Sequence, residues 1–221
     1  MALKFTVTAG PTREFIDPVR FISNRSTGKM GFAIATAAAY AGYEVNLVAG
    51  PVQLATPDGV NRVDVVTARE MLDVVKSLLH STDVLVMTAA VADWRPKYCA
   101  DIKLKKSEMP NVLELEPNPD ILRSLLPLKG ERFFAGFAAE TGDPVAEARR
   151  KLSVKGLDMI VANDVTEPGS GFAVDTNRVT IITPEKTSYL PQLRKIEVAQ
   201  RIVSMIASMA KEVTCQPGSE D

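Results

Sequence analysis

The chain has 221 residues, 46% of them hydrophobic, enough to bury a core as one domain or one domain with an appendage. Its 26 basic and 27 acidic residues leave a formal charge of −1, which excludes a dominant nucleic-acid footprint. Apolar runs such as residues 84–91 are far too short for a membrane span, and one histidine (His80) with two distant cysteines (Cys99, Cys215) leaves no zinc pattern and no hydrolase triad.

The N-terminus runs straight into a strand pattern over residues 3–8, with no signal-peptide core ahead of it, so a reducing, cytoplasmic setting is expected. The segment after it, 23–31, reads Ser-Asn-Arg-Ser-Thr-Gly-Lys-Met-Gly and opens an alanine-rich helix expected over 31–41. A helix start of that kind offers unpaired N–H groups and a positive dipole end to an anion. It is neither common phosphate motif. Ser23 stands where a Walker loop has its first glycine, Met30 follows Lys29, and no glycine at position 26 completes a dinucleotide fingerprint with Gly28 and Gly31.

Strands are then expected at 44–49, 61–66, 84–88, 133–137 and 159–163, with helices at 68–79, 119–126 and 144–154 between them. Continuous apolar strands alternating with helices predict a doubly wound α/β fold with a mainly parallel sheet. After residue 163 a loop holds Gly169, Gly171 and Asp175. A hairpin of 178–182 with 188–190 and a closing helix over 193–210 follow. One domain over 1–213 and a disordered tail over 214–221 are expected. The long polar interruption at 93–111 directly follows a strand end, where ligands bind in such sheets, and reads as a mobile lid.

Chemistry-bearing residues collect after strand ends. Gly10 opens the first cluster, which runs through Arg13 and Glu14 to Asp17 and Arg20. The second is Thr88-Ala89-Ala90-Val91-Ala92-Asp93, in which Asp93 reads as a helix cap or a ligand acceptor. Lys103-Leu104-Lys105-Lys106 is a solvated charge run or a clamp over a polyphosphate. Asn118-Pro119-Asp120-Ile121 reads equally as a helix cap with proline in the first turn. A short-chain reductase is disfavoured, since none of Tyr40, Tyr43, Tyr98 and Tyr189 stands four positions before a lysine.

In these clusters the chain closely resembles the phosphopantothenate–cysteine ligase family, also called phosphopantothenoylcysteine synthetases. The match is densest in Ala9–Glu14, Asp17–Arg20, Ser23-Asn24, Gly28–Gly31, Ala89–Asp93, Lys103-x-Lys105-Lys106, Asn118–Ile121, Gly136–Thr141 and Ala162–Val165. In many bacteria the family forms the C-terminal half of a bifunctional protein. No flavin-binding half precedes it here, so a monofunctional form or an excised domain is expected. The resemblance implies a Rossmann-like sheet that dimerises with shared active sites. It implies joining of 4′-phosphopantothenate to L-cysteine through an acyl nucleotide, with CTP as co-substrate and Mg²⁺ on its phosphates. It assigns Lys103 to acyl-CMP formation, Asn24 to the acyl intermediate and Arg20 to a nearby anion; Asn24, Arg20 and Ala90 contact substrate. The nucleotide falls to Gly10, Ser26, Gly28, Ala89, Ala90, Asp93, Lys103, Pro119, Asp120, Ile121, Leu122, Phe137, Lys151 and Lys155. A non-catalytic nucleotide-binding module and an NAD(P)-dependent short-chain reductase are the alternative readings.

Overall fold

A computed structural model describes residues 2–107 and 110–214. In chain order the elements are β1 (Lys4–Ala9), β2 (Arg13–Phe15), β3 (Phe21–Ser23), α1 (Lys29–Tyr40), β4 (Glu44–Ala49), β5 (Val60–Asp64), α2 (Ala68–Leu78), β6 (Val84–Met87), β7 (Trp94–Pro96), β8 (Leu115–Pro117) and α3 (Ile121–Leu125). They continue as β9 (Phe133–Glu140), α4 (Val145–Val154), β10 (Met159–Asp164), β11 (Thr176–Asn177), β12 (Thr180–Ile182), β13 (Thr187–Tyr189), β14 (Leu193–Arg194) and α5 (Lys195–Thr214).

The main sheet runs β13–β12–β10–β9–β6–β1–β4–β5. The stretch from β10 to β5 is parallel, and β12 and β13 add an antiparallel edge. This is the expected Rossmann-like architecture, and its burial follows the pleat. Phe5, Val7, Ala9, Val84, Val86, Met159 and Val161 point into one core with α1 and α5. Leu85, Met87, Phe134, Ala138, Ile160 and Ala162 point into the other, with α2, α3 and α4. The central strands β1, β6, β9 and β10 are covered on both sides, which is why their sequences are dominated by apolar residues.

Helix α1 starts two residues earlier than the alanine pattern predicts, because Gly28 at φ 78° ends the loop and its carbonyl accepts the Phe32 N–H at 3.1 Å. Gly31 then lies inside the helix, against the sheet. A Cβ there would stand 2.6 Å from Ala9 Cβ and 2.9 Å from the Thr8 carbonyl oxygen. Gly31→Ala is therefore expected to destabilise the fold by about 1–3 kcal/mol through overpacking. Denaturant unfolding checks this; an unchanged midpoint would show that α1 can lift off β1 without cost.

Other boundaries moved for local reasons. Asp120 caps α3 by accepting the Arg123 N–H at 3.1 Å, so Pro119 stays outside the helix. Leu193 and Arg194 pair with β11, which delays α5 to Lys195. Helix α5 reaches Thr214, the first residue of the expected disordered tail; residues 215–221 lie outside the described residues. The 93–111 interruption is closed at its base by an antiparallel ladder, Trp94 opposite Pro117 and Pro96 opposite Leu115. A second small hairpin, β2–β3, sits beside it. It is fixed to α2 by Glu14, a buried carboxylate that accepts the Ala68 N–H at 3.0 Å.

Candidate active site

Strands β1 and β6 are neighbours, but the chain leaves β1 towards β4 and leaves β6 towards β9. Their crossovers run to opposite sides of the sheet, and a crevice opens beyond the strand ends, as such a switch in strand order creates. A cleft of about 300 Å³ lies there, lined from one side by Ser26–Gly31 and from the other by Met87–Asp93 and Asn118–Leu122, with Phe137, Ala139, Lys155 and Asn163 beyond.

The segments after β1 and β6 run side by side. The Ala90 N–H donates to the Gly10 carbonyl at 2.9 Å, while Thr12 Oγ1 accepts the Ala92 N–H at 3.0 Å. Asn24, directly after β3, ties the β2–β3 hairpin to the segment after β6. Its Nδ2 donates to the carbonyls of Ala90 and Val91, each at 3.1 Å. Both amide protons are therefore spent on the strand end, and Asn24 itself stands behind the cleft wall rather than in its lining. Asn118 supports the same strand end from below, with Nδ2 donating to the Ala92 carbonyl at 2.8 Å.

Of the residues the sequence proposed, Ser26, Gly28, Ala89, Ala90, Asp93, Pro119, Asp120, Ile121, Leu122, Phe137 and Lys155 share the cleft wall. Asp93 caps no helix, since the chain enters β7 at Trp94. Asp120 does cap one, and Lys155 pairs with it at 3.4 Å across the cleft floor. The other proposed residues stand back. Gly10, at φ 79°, shapes the turn behind Ala90. Lys151 pairs with Glu140 at the end of β9, one helical turn from Lys155. Arg20 lies in the β2–β3 turn against Asp17, at 3.1 Å, and Lys103 is exposed in the loop after β7; neither lines the cleft of its own chain.

Sequence reasoning missed the segment that walls the cleft opposite Phe137. Gly171, Phe172, Asn177 and Lys195 line it. Thr27 Oγ1 donates to the Phe172 carbonyl at 2.7 Å, and Lys29 pairs with Asp175 at 2.6 Å, so this loop is bound to the start of α1. Lys195 is buried, and its ammonium donates to the carbonyls of Gly171, Phe172 and Val174 at 2.8, 3.2 and 2.6 Å. Burial, and next the charge of Lys29, push its pKa down to about 8, against the opposing pull of Asp175. A lysine at a helix start carries no such message in sequence.

In the β2–β3 turn, burial would raise the pKa of Asp17. Three backbone N–H donors and Arg20 outweigh it and hold the carboxyl below its ordinary value. The cleft as a whole joins a helix N-terminus, small residues at a strand end and cations from three elements. It can hold a flat base and an anionic chain.

Over residues 2–209 the chain matches the family described as DNA/pantothenate metabolism flavoprotein C-terminal domain. It is 47% identical over 208 residues to the coenzyme A biosynthesis bifunctional protein CoaBC of Bacillus subtilis, covering 93% of this chain and 51% of that protein. With the protein of the same name from Escherichia coli K12 the identity is 44% over 214 residues, covering 95% and 53%. The chain thus spans about half the length of the curated relatives it matches. A crystal structure of the C-terminal domain of CoaBC aligns with a TM-score of 0.82 at 42% identity, covering 95% of this chain and 96% of that one. The DNA/pantothenate metabolism flavoprotein from Streptococcus pneumoniae aligns at 0.81 and 26% identity, covering 94% and 100%.

Proposed function

The chain belongs to the DNA/pantothenate metabolism flavoprotein C-terminal domain family, and from that premise we propose that it is a phosphopantothenate–cysteine ligase of coenzyme A biosynthesis. The observation that carries this reading is the cleft in which the α1 N-terminus faces the Ala89–Asp93 strand end. One side suits phosphates and the other suits a nucleoside.

The reaction has two steps. A carboxylate oxygen of 4′-phosphopantothenate attacks the α-phosphorus of CTP, the α–β anhydride bond breaks and pyrophosphate leaves with its electron pair. The amine of L-cysteine then attacks the acyl carbon, nitrogen loses a proton, and CMP departs as the acyl–phosphate bond breaks. Negative charge builds in both steps, so the site must hold donors and cations where it appears.

The first-turn N–H groups of α1, beginning at Lys29, and the Lys155 ammonium face the phosphates in this reading. Ala89, Ala90 and Phe137 leave room for the base, and Asp93 and Asp120 are acceptors for ribose or base. Asn24 fixes the strand end under the acyl nucleotide. Arg20 supplies positive charge near the acyl donor, and Lys103 supplies it to the triphosphate. Among the described residues no group of three or more His, Cys, Asp or Glu side chains could cage a metal. Mg²⁺ would therefore be carried on the phosphate oxygens of the nucleotide, where it would neutralise charge.

A homodimer with shared sites belongs to the same reading. Val19, Phe21, Trp94, Tyr98, Ile102 and Leu115 are all exposed, and all lie on the β2–β3 and β7–β8 hairpins or the loop between β7 and β8. Exposed apolar side chains on two neighbouring hairpins suit burial against a second copy, and a loop reaching across them would carry Lys103 to the neighbour's cleft. Trp94→Asp together with Ile102→Asp is expected to shift the protein to monomer and to lower activity at least tenfold; sedimentation and turnover at one concentration check both. An active monomer would sink the shared site. No helix among the described residues is long and apolar enough to cross a membrane, and the proposed reaction uses metabolites of the cytoplasm.

The direct test is pyrophosphate release from CTP or ATP with 4′-phosphopantothenate, with and without cysteine. CTP is expected to be preferred. Release with neither nucleotide would leave the non-catalytic nucleotide-binding module as the reading.

A further inference from the structure

The loop that carries Lys103 is held by residues on which the nucleotide site makes no direct claim. Asp17, in the β2–β3 turn, is fully buried. Its Oδ1 accepts the N–H groups of Val19 and Arg20, each at 2.8 Å, and so closes the turn. Its Oδ2 does something else: it accepts Arg20 Nη1 at 3.1 Å and the N–H of Leu104 at 3.2 Å. Arg20 Nη2 in turn donates to the Leu104 carbonyl at 3.1 Å. One ion pair thereby takes both backbone polar groups of the residue next to Lys103. Four residues earlier, the Ala100 N–H donates to the Ile16 carbonyl at 3.0 Å. The stretch 100–104 is fastened at both ends to the stretch 16–20, with Lys103 between the fastenings.

We propose that Asp17 is a positioning residue of the ligase reaction, gripping the Leu104 peptide jointly with Arg20 and so fixing where the Lys103 ammonium can reach. The proposal rests on the ligase reading and on the part that reading gives Lys103. It also changes the account of the loop: the segment is latched without ligand. A lysine on a latched backbone has only its own rotamers to order when phosphate arrives, whereas on a free loop the backbone must be ordered as well.

Asp17→Asn separates the latch from the turn. The Asn oxygen can still accept the Val19 and Arg20 N–H groups, while an NH₂ replaces Oδ2 and can accept from neither Leu104 nor Arg20. In the ligand-free protein, hydrogen exchange of the peptide spanning residues 100–107 is expected to rise at least tenfold in this variant with the sheet peptides unchanged. Pyrophosphate release is expected to fall at least tenfold in the wild-type background, and less than twofold in a Lys103→Gln background. Such non-additivity is not expected of a residue that only supports the fold. Should Asp17→Asn fail to fold, Leu104→Pro removes the same N–H from the loop side and is expected to behave alike. Unchanged exchange of the loop, or equal fold losses in both backgrounds, overturns the proposal while wild-type activity stands. Absence of pyrophosphate release from the wild type overturns the ligase reading, and the proposal with it.

Discussion

Lys103→Gln is expected to lower pyrophosphate release from CTP and 4′-phosphopantothenate by about two to three orders of magnitude, the usual loss when one charge-stabilising donor is removed from a reacting centre. The side chain is exposed, so its replacement should leave the fold intact, within about 0.5 kcal/mol. An unchanged melting transition is therefore part of the expected result. Glutamine keeps most of the length and two N–H donors but no charge. The triphosphate loses Coulombic support as negative charge moves onto the departing pyrophosphate, and the defect should appear in the rate of the first step more than in nucleotide affinity. A preformed acyl nucleotide supplied to the variant should still react with cysteine. Wild-type release by Lys103→Gln would show that the cations lining the cleft, Lys29, Lys155 and Lys195, suffice without the loop.

The parallel core was legible because each central strand is buried on both faces. β4 was found to the residue at 44–49, and β1, β6 and β10 to within one. The mouth of the site was not. Strands β2, β3, β7 and β8 have three residues each, too short for a period-two pattern, and prolines at 96 and 117 read as loop. Lys151 and Lys155 stand four apart on or just after α4. Sequence spacing puts them on one face and cannot say that Glu140 takes the first while the second meets Asp120 in the cleft. Segment 23–31 matches no Walker loop, and its glycines and lysine have structural uses. Gly28 and Gly31 serve backbone turning and close packing, and Lys29 spends its charge on Asp175. Asn24 alone in that segment reaches the strand end by its side chain, a contact across 66 residues that no local pattern encodes.

Asn24→Asp is expected to act on the other half of the reaction. The amide donates two hydrogen bonds, to Ala90 and Val91. A carboxylate in its place donates none and sets its charge against two carbonyl oxygens, so the segment after β3 should separate from the β6 end. The position is exposed, and the stability lost is about 1–2 kcal/mol for two bonds that water can replace. The chemical loss is larger. The strand end under the acyl nucleotide shifts and a new negative charge lies near a substrate that already carries several, so cysteine attack should slow by about a hundredfold or more, since displacements of about 1 Å at a reacting centre carry such losses. In the proposed reaction the first step makes less use of this contact, because the phosphates are there assigned to the α1 N-terminus and to Lys103. Quenching a single turnover is then expected to reveal about one acyl nucleotide and one pyrophosphate per site, with little amide product, whereas Lys103→Gln should accumulate neither. If Asn24→Asp turned over at the wild-type rate, or lost its pyrophosphate burst as completely as Lys103→Gln, the division of labour between the two residues would fall. If the acyl nucleotide accumulates, the amide that ties the segment after β3 to the β6 end is also the group on which the second bond-forming step depends.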